Sequence, residues 1–127
     1  EQITNIIKNS PENFRVWSGN DDETFGIMTL GGFGIVSVAS NIIGNQIKKM
    51  MNYILEGDFI KGSNEHKRLL PIFKALFWET NPVPIKYAVN KSGFNVGSTR
   101  LPMYEPSPEF KEKFDPIFKK YKIDLNN

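Results

Sequence analysis

From Ser18 to Glu23 the chain reads Ser-Gly-Asn-Asp-Asp-Glu, beginning on the last residue of the short apolar run "FRVWS". A hydroxyl, an amide and three carboxylates thus follow a segment rich in aromatic and β-branched residues, which has strand character. In α/β proteins the residues just past a strand's C-terminal end face the ligand. Gly19 would let a ligand approach the backbone closely. Asp21, Asp22 and Glu23 could supply a metal ligand or an acid–base pair. Helix capping explains them more cheaply, because carboxylates suit the positive end of a helix dipole. Ser18, Ser37 and Ser40 have no base near them in sequence, which argues against a serine nucleophile. His66, the single histidine, lies in a polar stretch and reads as a solvated side chain. "GGFG", residues 31–34, imitates a phosphate loop but precedes a strand instead of following one, so helix termination and close packing fit it better.

Composition narrows the chemistry further. There is no cysteine, which excludes disulfides, zinc–thiolate sites and cysteine nucleophiles. A net charge of +2 over 127 residues gives no footprint for a nucleic-acid or membrane-surface partner. No apolar run reaches membrane-spanning length. The expected setting is the cytoplasm, with no metal and no cofactor.

The elements that must hold these residues follow from periodicity. Ile3, Ile6 and Ile7 have helical spacing and predict a helix over residues 2–8, ended by Ser10-Pro11. "FRVWS" predicts a strand over 14–18, and the acidic cluster opens a helix over about 24–30 that Gly31 and Gly32 end. "GIVSVAS", 34–40, is a nearly continuous run of small and β-branched residues, as in a parallel strand covered on both faces. Strand, helix and strand make a right-handed βαβ unit. After Asn41 the pattern is helical only: 44–56, 59–78, about 85–91 after "NPVP", and a last helix from Ser107, its cap, and Pro108. Two parallel strands leave open edges, so the sheet needs further strands from elsewhere.

Five stretches occur in one order at characteristic spacing: "WSGNDD", "LGGFGIVSVASN", "LEGDF", "LLPIFKALFWETNPVPIKYA" and "RLP". Together they resemble the C-terminal part of the dihydrodipicolinate synthase family, within the wider group of N-acetylneuraminate lyase and keto-deoxy-sugar aldolases. The resemblance runs from about Ile3 to Leu125. It implies an α/β fold: residues 1–43 would be the end of a (β/α)8 TIM barrel, with strands seven and eight, and residues 44–127 its last helix and a C-terminal helical extension. It implies a lysine-biosynthesis enzyme that joins pyruvate to aspartate semialdehyde through a lysine imine. The imine would lie beside Gly19, Val36 would line the same pocket, and Asn20 and Asp21 would lie near the second substrate. Ile3 and Leu30 would lie at a contact of the family's homotetramer. The imine-forming lysine, and the threonine, tyrosine and arginine that serve it, would precede Glu1, leaving this chain without the catalytic nucleophile. Its partners would then be further copies in a homo-oligomer or a complementary N-terminal half. The lyase branch also carries acidic residues after its strand-seven glycine, but "VSVASN" stands where that branch has a "GSTYN"-like sequence. A short paralogue that only binds a full-length partner is the non-enzymatic alternative.

Overall fold

The computed structural model of the chain describes residues 1–125. Helix α1 spans Gln2–Asn9, strand β1 Trp17–Ser18, helix α2 Thr24–Thr29 and strand β2 Gly34–Ile35. Four helices follow: α3 (Ser40–Leu55), α4 (Phe59–Ala75), α5 (Val83–Lys91) and α6 (Pro108–Phe118). The strands pair in parallel, Trp17 with Gly34 and Ser18 with Ile35, as the βαβ reading requires. They are much shorter than the apolar runs at 14–18 and 34–40. Beyond the paired residues only two flanking bonds continue the ladder: Phe33 N–H to the Val16 carbonyl (2.7 Å) and Val36 N–H to the Ser18 carbonyl (2.9 Å). Each strand has a partner on one side only, so the outer edge of each lacks ladder bonds among the described residues.

The core lies in the helices. Ala39, Ile42, Ile43, Ile47, Met50 and Ile54 recur every three or four residues along α3, and all are buried. They meet Leu69, Ile72 and Phe73 of α4. Phe110, Phe114 and Phe118 of α6 recur every fourth residue and pack in a row, the first pair stacked at 4.9 Å and the second tilted at 5.7 Å between ring centroids. Each such buried side chain contributes about 1.5–3 kcal/mol. One cluster runs from Met28 to Phe118, across the expected boundary at residue 43. Helix α1, by contrast, buries no residue.

Local signals set the helix ends. Asp58 caps α4 by accepting from Lys61 N–H, and Ser107 caps α6 by accepting from Phe110 N–H, each at 3.0 Å. Pro108 stands in the first turn of α6 as expected. Helix α3 begins at Ser40, earlier than the expected residue 44, and it is broken at Ile43, where φ is −136° and ψ 34°. Helices α4 and α6 end at Ala75 and Phe118, short of their apolar patterns. An exposed irregular segment, residues 93–105, joins α5 to α6.

The glycines of "GGFG" serve packing. Gly31 has φ +102°, open to glycine at little cost. A Cβ on Gly32 would meet the Ile27 carbonyl oxygen at 2.8 Å, and one on Gly34 the Trp17 ring at 2.7 Å.

Candidate functional site

The parallel register brings Gly19 and Val36 together. Ser18 pairs with Ile35, so the next residue on each strand emerges at the same end of the sheet, joined by the Val36-to-Ser18 hydrogen bond. A Cβ built on Gly19 would have no atom within 4 Å, so its outer face is open. Val36 is 71% exposed beside it. The result is an apolar corner with accessible backbone. Neither strand carries a lysine.

Asp21 has a different place from the one its sequence position suggests. It does not cap α2, which it precedes within a 3-10 turn at Asp21–Glu23. Its carboxylate is turned inward, is only 2% exposed, and accepts from Val38 N–H (3.2 Å), Ala39 N–H (3.1 Å) and the Ser37 hydroxyl. It therefore anchors the segment leading from β2 into α3. Burial raises its pKa above the ordinary carboxylate value, against the lowering effect of those three donors. Every hydrogen bond of the Asp21 carboxylate is thus directed inward, to the segment after β2. Asn20 does remain at the surface, where its amide donates to Glu23 (3.0 Å). The Asn20 carbonyl accepts from the Ser18 and Thr24 hydroxyls, both at 2.8 Å. The serines thus act as backbone ligands: Ser37 Oγ also accepts from Ser40 N–H at 2.8 Å.

Two clefts adjoin this turn. One, about 230 Å³, is lined by Asn20, Asp22, Phe73, Lys74 and Phe77. The other, about 460 Å³, is lined by Ile3, Asp22, Phe25, Ile27, Leu30 and His66 among others. Ile3 and Leu30 therefore share one groove between α1 and α2, and Leu30 is 49% exposed. His66 is half-buried, not freely solvated as its sequence context suggests. Its ring stacks on Phe25 at 5.6 Å, and its buried Nδ1 has no hydrogen-bond partner. Burial lowers its pKa, with Asp22 opposing.

Sequence reasoning passed over Lys74 and read Phe77 as part of a core stripe, whereas Phe77 is 49% exposed. Lys74 lines the smaller cleft together with Asn20, Asp22, Phe73 and Phe77. Among the described residues no helix is long and apolar enough to cross a membrane.

A protein-family model described as the dihydrodipicolinate synthetase family matches residues 1–121. The chain belongs to that family. It is 42% identical over 125 residues to a 4-hydroxy-tetrahydrodipicolinate synthase of Dehalococcoides mccartyi, covering 98% of this chain and 42% of that protein. It is 46% identical over 112 residues to the synthase of Microcystis aeruginosa, covering 88% and 38% respectively. The crystal structure of dihydrodipicolinate synthase from Aquifex aeolicus superposes with a TM-score of 0.92 at 41% identity, over 98% of this chain and 43% of that one. The Thermotoga maritima synthase gives a TM-score of 0.89 at 38% identity, over 94% and 41%. The chain spans about two fifths of the length of these relatives. The likeness is to α/β enzymes of TIM-barrel type.

Proposed function

We propose that this chain forms strands seven and eight of a (β/α)8 barrel and supplies one wall of the pyruvate pocket of a 4-hydroxy-tetrahydrodipicolinate synthase. The observation that carries this reading is the pairing of an open Gly19 with an exposed Val36 at the C-terminal end of two parallel strands, where barrel enzymes hold their substrates. The relatives' shared name supports it.

In the proposed reaction an amine of a lysine outside residues 1–127 adds to the pyruvate ketone, and loss of water gives the imine. Loss of a methyl proton gives the enamine, whose carbon adds to the aldehyde of aspartate semialdehyde. The product then cyclises and leaves the lysine. The lysine must be deprotonated to attack, which a desolvated site favours. Gly19 keeps room for the planar imine, and Val36 keeps water from one side of it. Further copies, or a complementary half, complete the barrel.

Lys74, beside Asn20 and Asp22, is the lysine of this chain that the proposal must exclude as nucleophile. Borohydride reduction of the chain with labelled pyruvate tests it. The expected outcome is no covalent adduct; a stable pyruvyl group on Lys74 would overturn the assignment. In a full-length barrel assembled around these residues, Gly19→Val should cut turnover by orders of magnitude. It should leave the melting of the chain itself unchanged, because nothing lies within 4 Å of the added carbon.

A further inference from the structure

The break in α3 at Ile43 lies between the strand-end segment and the helical core. A broken helix leaves backbone groups on both sides in need of partners. The chain's own tail, far away in sequence, meets them. The Asp124 carboxylate accepts from Asn45 N–H at 2.6 Å, and Asp124 N–H donates to the Ile42 carbonyl at 2.8 Å. Gln46 adds a second tie, its amide donating to the Lys122 carbonyl at 2.7 Å. Asp124 therefore caps the second half of α3 as an N-cap residue caps a helix, while its backbone satisfies the first half.

The first turn of α3, residues 40–43, is thereby held at both ends. Asp21 grips the segment entering it through Val38 and Ala39, and Asp124 bridges the break leaving it. Val36 stands two residues before the Asp21 anchor. We infer that Asp124 is a positioning residue: the tail is a clamp that fixes the register of residues 36–43 against the rest of the chain. This goes beyond the pyruvate reading and holds with or without it, so its test uses no substrate.

Amide hydrogen exchange on the 127-residue chain tests it. In Asp124→Leu the Asn45 amide should exchange about tenfold faster, the scale of a lost cap. Val38 and Ala39 should also lose protection as the turn they lead into is released, while amides inside α4, α5 and α6 stay within about twofold. Asp124→Asn keeps an acceptor oxygen at the same reach and should restore most of the protection. If the leucine disrupts folding, Asp124→Ser, polar but too short, takes its place. Unchanged exchange at Asn45 overturns the clamp. So does a loss spread evenly over all helices, which is ordinary destabilisation, or a loss at Asn45 that never reaches Val38 and Ala39.

Discussion

Asp21 and His66 are the two residues whose environment departs most from what their neighbours in sequence suggest. Asp21→Ala would leave one buried and one half-buried N–H group and a hydroxyl without their acceptor, at a cost of about 1–3 kcal/mol. Asp21→Asn keeps one acceptor oxygen and should cost less. Thermal melts of the two variants check that order. The two groups also titrate with opposite consequences. Asp21's raised pKa means that its contribution is fully present below 3.8 and is lost as pH rises through its folded value. His66's lowered pKa means that stability is fully present above 6.5 and is lost as pH falls through its folded value. Denaturant unfolding at pH 7.5 and pH 5.5 should therefore show a stability change that is more unfavourable on acidification in the parent chain than in His66→Phe, which keeps the stack on Phe25 and leaves the opposing Asp21 response in place. An identical pH response in that variant would mean that His66 does not contribute to it. That Gly19 and Val36 are neighbours came from the family resemblance, and the parallel register of β1 and β2 does place them side by side. The partners of Asp21 were not legible, since they lie 16–18 residues away across a helix and no periodicity links them. The environment of His66 was hidden for the same reason: its stacking partner, Phe25, comes from another helix.

At the scale of elements, helices were read more truly than strands. A helix satisfies its own backbone, so an amphipathic stripe such as Phe110, Phe114 and Phe118 suffices to announce it. A strand depends on neighbours, and "GIVSVAS" pairs over only two residues although its composition suits seven. Helix starts depend on caps: α3 begins at Ser40 because Asp21 and Ser37 bind the amides there, a tertiary event. The glycine cluster gives a graded expectation. Gly32→Ala would press a Cβ against the backbone of Ile27, which has little freedom to move, whereas Gly34→Ala would meet the half-exposed ring of Trp17. Gly32→Ala should lower stability by about 1–3 kcal/mol, the range of an overpacked site, and Gly34→Ala by less. Calorimetry on the two variants decides the order; a more damaging Gly34→Ala would show that the indole is held more rigidly than its exposure suggests.

The molecule as a whole divides into a well-buried helical body and a sparsely covered strand end. Phe14, Trp17, Phe33 and Val36 are all exposed around the two strands, whose outer edges carry unpaired backbone groups. Burying a few hundred Å² of such surface favours association by several kcal/mol at about 25 cal/mol per Å², before the entropy of association opposes it. Sedimentation at micromolar concentration should show self-association, or capture of a complementary half when one is supplied. A monodisperse monomer under those conditions would mean that the strand end needs no cover.

Helix α1 and the linker after it place no residue in the core: residues 1–16 are exposed or half-buried throughout. Such a segment can detach without the cost of unfolding the body. A protease should sense this before any spectroscopic probe does. Brief digestion with trypsin should cut first after Lys8 or Arg15 and leave the remainder as a resistant fragment with its helical signal intact. Intact-mass analysis would read the cut position directly. The length of the surviving fragment would measure, in residues, where cooperative structure begins.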